Sequence, residues 1–333
     1  MILNSNKLLF MIMLVLSTMI TLNAQNWMGM WMGLEMNLMS FIPLISSKKN
    51  KNSSQSMTIY FLAQSMGSIN LLFSILINHM LFLNPNMINE LIKMLITTSI
   101  LIKLGAAPFH FWFPEMLANL NWSECMIMMT WQKIAPLFVM YMLMINNWYF
   151  YLSIILCSII GAIGGLNQTS LRKILAYSSI NHMSWMMMFM SLSGAWYKYL
   201  LIYSIMIILT CQFFNLKKSF FINQLCSMSS SMTEKFTYTI LMMSLGGLPP
   251  FLGFLPKWMV IQIMINSEMY FMLLFLMMMT LLTLFYYMRM MTTYFLNYTT
   301  INKWMLFNNN NKIMLLINFI NLMLPLFLIN SFF

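Results

Sequence analysis

The sequence predicts an all-α integral membrane protein of about eleven transmembrane helices. They form two inverted five-helix repeats, one broken helix in each, with a single helix appended at the C-terminus. Three observations predict this. Hydrophobic residue types make up 61% of the 333 residues and charged types only 7%, and the mean hydropathy is +0.77. Apolar runs of spanning length recur between short polar breaks. Two of those runs are interrupted by Gly/Pro clusters, one in each half of the chain.

The composition alone excludes a soluble fold. A soluble domain carries roughly a quarter charged residues to keep its surface wet, and this chain has far fewer. One span needs about 20 apolar residues, so there is room for around a dozen and little left for an extramembrane domain. The chain reads as a single polytopic domain over 1–333. Asp is absent, Arg occurs twice and Val three times, while Met reaches 44. That profile points to an AT-rich organellar genome in which ATA is read as Met. Met1 to Leu22 resembles a signal peptide but lacks a small-residue cleavage site, and the next span follows at once, so it reads as the first helix. Cys125, Cys157, Cys211 and Cys226 show neither metal spacing nor a disulfide pattern and read as small apolar filler. The formal charge of +11 is scattered between apolar spans. It therefore points to loops and anionic phospholipid headgroups rather than to nucleic acid.

Apolar runs set against polar breaks place spans near 3–23, 25–45, 57–83, 87–118, 122–145, 148–169, 172–192, 195–215, 233–265, 269–295 and 311–331. The fourth and ninth are too long for one crossing and read as interrupted helices. With this count, one side of the membrane carries Lys7, Lys48, Lys49, Lys51, Arg172, Lys173, Lys217, Lys218, Lys235, Arg289, Lys303 and Lys312. The other side carries Lys93 and Lys198. Twelve against two is a strong bias, and it sets the N-terminus in the positive-inside compartment and the C-terminus opposite.

Four charges remain at bilayer depth: Glu35, Lys103, Lys133 and Lys257. Each costs about 2.5 to 3.5 kcal/mol on insertion scales. Lysines near a span end can snorkel to the headgroups, which suits Lys93 and Arg289 but not Lys133, far from either end of its span. Buried ions can also serve simply to pair helices. The functional reading is that a buried lysine near a carboxylate sits between opposing influences, burial and a neighbouring charge. A change in that neighbouring charge can then move a proton. His110 and His182 have an intrinsic range suited to relays, although a membrane histidine is as readily a packing residue; His79 lies near a span end. Gly29 and Gly33, four apart, let another helix come close beside Glu35.

The two interruptions run Lys103-Leu-Gly-Ala-Ala-Pro-Phe-His110, containing Gly105 and Pro108, and Leu245-Gly-Gly-Leu-Pro-Pro-Phe-Leu-Gly-Phe-Leu-Pro-Lys257, containing Gly246, Gly247, Pro249 and Pro250. Proline removes a backbone donor and clashes with the preceding turn. The freed carbonyls must then face buried protein or a wet cavity. The fourth and ninth spans are five apart in order, so the broken helices cross in opposite directions. This is the signature of an inverted repeat, with 1–145 and 146–297 as the halves and 298–333 as the appended loop and helix. Unrelated proline kinks are the bland alternative.

Three segments, taken in order, resemble the antiporter-like membrane subunits of respiratory complex I in their mitochondrially encoded animal form. They are Leu104-Gly-Ala-Ala-Pro-Phe-His-Phe-Trp-Phe-Pro-Glu115, Arg172-Lys-Ile-Leu-Ala-Tyr-Ser-Ser-Ile-Asn-His182 and Gly246-Gly-Leu-Pro-Pro-Phe-Leu-Gly-Phe-Leu-Pro-Lys257. The resemblance covers essentially the whole chain. It implies that Glu35 is the family's membrane glutamate and Lys103 its partner lysine. Lys133, in Thr130-Trp-Gln-Lys-Ile-Ala-Pro136, matches the central lysine, and Lys257 the distal one. It also implies a chain lacking the first three of the family's fourteen helices. The implied activity is proton translocation across the mitochondrial inner membrane, with the N-terminus in the matrix and the C-terminus in the intermembrane space. No cofactor is expected on this chain; NADH, FMN, iron–sulfur clusters and ubiquinone belong to other subunits. The implied partners are neighbouring antiporter-like, small membrane and accessory subunits, and phospholipids with cardiolipin among them. Two rivals stay open: a stand-alone cation/proton antiporter, and a scaffold subunit that carries no proton.

Overall fold

A computed structural model describes residues 5–46, 51–80, 85–143, 147–192, 194–227, 232–296 and 311–323. The described chain is helical, and what shapes it is inverted amphipathicity. On α3 (Lys51–Met80), Leu62, Met66, Ile69 and Phe73 form an outward apolar stripe. Ser53, Ser56, Tyr60, Gln64, Ser68 and Ser74 of the same helix are buried. A soluble helix would be turned the other way. The inward serines are satisfied within their own helix, as Ser56, Ser68 and Ser74 donate to carbonyls one turn back. Lipid can cover the apolar stripe, so the polar residues are free to face the interior. Five helical segments are long and apolar enough to cross a membrane among the described residues: Trp27–Ile45, Lys51–Ile77, Trp122–Met142, Trp196–Lys217 and Tyr270–Tyr294.

The chain divides into two compact units, Met1–Cys157 and Ser158–Phe333. The first begins with α1 (Ser5–Asn23) and α2 (Trp27–Ile45), then α3. Gly33 lies against α1 so closely that an added methyl would sit 2.4 Å from Thr21 Cγ2, and Gly29 likewise abuts Ala24. The close approach expected of the pair is therefore made with α1 at Gly33 and with the connection after α1 at Gly29. The fourth expected span is interrupted, as α4 (Pro85–Leu104) and α5 (Trp112–Asn119). The fifth is also interrupted, which sequence reading missed. It runs as α6 (Trp122–Thr130), a 3₁₀ turn over Trp131–Lys133, and α7 (Ile134–Met142). Pro136 has no N–H to give the Gln132 carbonyl one turn earlier, and the helix tightens there.

α8 (Trp148–Gly164) leads from the first unit into the second. The second continues with α9 (Leu171–Ser191), α10 (Trp196–Lys217) and α11 (Ile222–Ser227), a short helix the apolar pattern did not announce. The ninth expected span is interrupted, as α12 (Met232–Gly246) and α13 (Phe254–Asn266), and is followed by α14 (Tyr270–Leu296) and α15 (Asn311–Asn321). Arg289 does not merely snorkel. Its guanidinium donates to the carbonyls of Leu166 and Gln168, just beyond the end of α8, where unpaired helix carbonyls collect. Lys48, Lys49, Lys303, the loop 298–310 and the later part of the eleventh span lie outside the described residues. So do the side chains of His79, Cys226 and Lys312.

Candidate functional site

The first break is a helix end made by glycine. Gly105 follows α4 with φ +67°, the left-handed region that costs other residues about 1–2 kcal/mol. Its N–H donates to Ile102 O at 3.2 Å, and Ala106 N–H donates to Leu101 O at 3.0 Å. This pair of reversed bonds is a Schellman cap. Lys103 lies in the last turn of α4, 4% exposed, where helix carbonyls favour a cation. Gly67 of α3 makes room for it: a methyl there would lie 2.8 Å from Lys103 Cγ. The Lys103 carbonyl accepts from Gln64 Nε2 at 2.9 Å.

Around Lys103 the interior is polar. Gln132 Nε2 donates to Asn37 Oδ1 at 3.0 Å, and the Tyr60 hydroxyl donates to Gln132 Oε1 at 3.3 Å. Asn37, Tyr60, Gln64, Lys103 and Gln132 line a cavity of about 10 Å³, the size of one water position. Glu35 is half-buried on α2. It looks into a separate groove of about 380 Å³, shared with Leu9, Phe10 and Met13 of α1. Among the described residues it makes no ion-pair contact with Lys103 of the kind Lys217 and Glu234 make at 2.5 Å.

Lys133 ends the 3₁₀ turn and is 3% exposed. Its ammonium stands 5.7 Å from the Phe113 ring centroid, within cation–π range. Phe113 also packs under the break, 2.9 Å from where a methyl on Gly105 would sit. Cys157, treated as filler in the sequence, has a definite place. Its sulfur accepts from Ala107 N–H at 3.1 Å and lies near enough to Lys133 to interact electrostatically. No spacing rule could have found it, since 50 residues separate Cys157 from Ala107. The structure therefore assembles Lys103, Lys133, the Gly105–Pro108 break and Cys157 in one unit, with Glu35 on its flank. His110 is buried near the break; Nδ1–H donates to Pro108 O at 3.3 Å and the ring lies tilted against that of Phe111, centroids 4.2 Å apart.

The second break repeats the first. Gly247 follows α12 with φ +75°. Its N–H donates to Ser244 O at 3.0 Å and Leu248 N–H to Met243 O at 3.2 Å, the same cap bond for bond. Pro250 follows Gly247 by three residues, as Pro108 follows Gly105. Lys257, 5% exposed in the first turn of α13, reaches back and donates from Nζ to Gly246 O at 2.7 Å. The lysine lies flat on Gly247, where a methyl would come within 2.8 Å of Nζ. Gly253 is tighter still: a methyl there would meet the Ser244 carbonyl oxygen at 1.8 Å. His182 is elsewhere in the second unit, on α9, with Nδ1 2.9 Å from the Tyr199 hydroxyl. Among the described residues, no three His, Cys, Asp or Glu side chains come together as metal ligands.

Residues 24–283 match the family described as NADH:quinone oxidoreductase/Mrp antiporter, transmembrane. The chain is 49% identical over 325 residues to NADH-ubiquinone oxidoreductase chain 2 of Aedes aegypti, covering 95% of this chain and 94% of that protein. It is 46% identical over 269 residues to the protein of the same name from Anopheles gambiae, covering 80% and 79%. A chain of respiratory complex I from Thermus thermophilus, solved with bound aureothin, shares the fold with a TM-score of 0.83. At 18% identity it covers 98% of this chain and 80% of its own.

Proposed function

The chain belongs to the NADH:quinone oxidoreductase/Mrp antiporter transmembrane family, and from that premise we propose that it is a proton-translocating membrane-arm subunit of mitochondrial complex I. The observation that carries this reading is the seating of its buried lysines. Each lies at a helix interruption: Lys103 at the Gly105 cap, Lys133 in the 3₁₀ turn, Lys257 on the Gly246 carbonyl. An unbroken helix offers no free carbonyl at bilayer depth. A break supplies the polar partners that let an ammonium form and discharge there.

The mechanism is electrostatic. Glu35 stands beyond ion-pair contact with Lys103, so the coupling in this reading is a field rather than a locked pair. When the charge near Glu35 changes, that field weakens and Lys103 releases its proton. Asn37, Tyr60, Gln64 and Gln132 supply hydrogen-bonding groups for its transfer toward Lys133. Lys257 is the corresponding station of the second unit, and His110 and His182 are secondary relays. The reading includes eleven spans in inverted repeats, a matrix-side N-terminus and an intermembrane-space C-terminus. NADH, FMN, iron–sulfur clusters and ubiquinone lie in other subunits and supply the drive. Neighbouring membrane and accessory subunits and cardiolipin-type lipids complete its surroundings.

The test is the double variant Glu35→Gln with Lys103→Met in the assembled complex. Protons moved per NADH fall if the pair carries coupling. Poor assembly with an unchanged proton yield per assembled complex would make the chain a scaffold instead. Sodium–proton exchange by the isolated chain in liposomes would make it a stand-alone antiporter.

A further inference from the structure

One hydrogen bond of the second break leads outside it. Phe251 N–H donates to Leu248 O and Phe254 N–H to Phe251 O, each at 3.0 Å, closing the turn between α12 and α13 on itself. Leu252 N–H instead donates to the main-chain carbonyl of Asn321, 3.1 Å away at the end of α15. The last carbonyls of a helix have no partner inside it, so this one is open to an outside donor.

α15 is turned to make this contact. Met314, Ile317 and Asn321 share one face and are buried, whereas Ile313, Leu315, Leu316 and Phe319 are exposed. Met314 Sδ lies 3.7 Å from the Thr237 hydroxyl, which sets that face against α12, the half-helix leading into the break. Packing alone does not ask for an asparagine there. Asn321 is fully buried with its Oδ1 unpaired, a cost that leucine in its place would avoid. What the amide supplies is a tie along α15: Nδ2 donates to Ile317 O at 3.1 Å, one turn back. That bond steadies the turn whose carbonyl receives Leu252.

From Leu252 the contact passes to the lysine. The Leu252 carbonyl accepts Leu255 N–H at 3.2 Å where α13 starts, and Lys257 stands two residues further on with Nζ on Gly246 O. Gly253 is wedged against the Ser244 carbonyl, so the loop has no slack on its α12 side. The first break is fastened differently. Five residues after its glycine, where the second break has Leu252, stands His110. His110 O accepts Phe113 N–H at 3.0 Å in the same way. Its ring, however, bonds to Pro108 O inside the break, and the outside tie runs from Ala107 N–H to Cys157.

We propose that Asn321 is a positioning residue for Lys257. From the end of α15 it holds Leu252, Leu252 holds the first turn of α13, and that turn sets the Lys257 ammonium on the Gly246 carbonyl. The appended helix is thus a working part of the second break. This inference rests on the proton-carrying reading of Lys257.

The experiment uses the assembled complex reconstituted into vesicles, with protons moved per NADH followed across pH. Leu252→Pro removes the N–H donor, and Asn321→Leu removes the tie that steadies the acceptor. Each is also combined with Lys257→Met, because changes that act through one residue do not add. The expected result is that both variants lower the yield and shift its pH dependence, Leu252→Pro more than Asn321→Leu. In the Lys257→Met background neither lowers the yield further. A yield equal to that of the unaltered complex in assembled Leu252→Pro overturns the inference. So does a loss that leaves the pH dependence unmoved or adds to that of Lys257→Met, since either marks a purely structural role. An unchanged yield in Lys257→Met itself overturns the lysine reading, and the inference with it. If Leu252→Pro does not assemble, Asn321→Leu is read for the same outcomes.

Discussion

The two broken helices share a backbone and differ in their charges. Both end a half-helix with a glycine at positive φ, Gly105 and Gly247, and with the same two reversed hydrogen bonds. Lys103 precedes its break, on the half-helix whose carboxyl end already favours a cation. Lys257 follows its break, in the first turn of α13, where the helix dipole opposes a cation. It escapes by reaching back to Gly246 at the carboxyl end of α12. The position in the first break that matches Lys257, ten residues after the glycine, is Glu115, in the first turn of α5, where an anion is favoured. In each break, then, the buried cation comes to rest at the carboxyl end of the first half-helix. What differs is the holding force. Lys103 shares a cavity with polar side chains, whereas Lys257 is tied to the break itself. On the proton-carrying reading proposed above, the first break would sense charge and the second would respond to backbone geometry.

The largest expected difference between the breaks is steric. Gly253→Ala drives a methyl into the Ser244 carbonyl oxygen, a backbone atom that cannot yield. Assembled complex on a native gel should fall to background. The matching residue of the first break is Phe111, which is 74% exposed. Phe111→Ala should leave assembly near normal, and equal losses from the two changes would break the contrast.

Next come the capping glycines. Gly105→Ala and Gly247→Ala each pay about 1–2 kcal/mol for positive φ, which a thermal melt would register at both. The added methyl meets Phe113 in the first case and the end of the Lys257 chain in the second. Proton yield per NADH should therefore drop more at Gly247, because its lysine must leave Gly246. A larger drop at Gly105 would reverse the assignment of geometry to the second break. Gln64→Leu is milder. It strips the donor from the Lys103 carbonyl, costing about 1–3 kcal/mol in a melt of the first unit. No change in that melt would mean the carbonyl finds another donor.

Much of this was legible in the sequence, and the illegible parts share a cause. Gly and Pro announce a break where they stand, so both interrupted helices and their lysines could be read directly. Pro136 acts one turn upstream, so the 3₁₀ turn that seats Lys133 passed for a continuous span. The polar lining of the Lys103 cavity was invisible for a different reason. Gln132 meets Asn37 across 95 residues, Tyr60 across 72, and Gln64 meets Lys103 across 39. Periodicity tells which face of a helix turns inward and not which residue it will find there. Cys157 at the first break and Tyr199 beside His182 were missed on the same ground.

The central claim is that protons pass through the buried lysines, and Lys133 tests it most directly. It is buried within the protein and seated in a turn that a neutral side chain can also occupy. Lys133→Met keeps the stem and removes the ammonium. In the assembled complex, protons translocated per NADH oxidised should fall clearly below those of the unaltered complex. A yield equal to that of the unaltered complex would contradict the account.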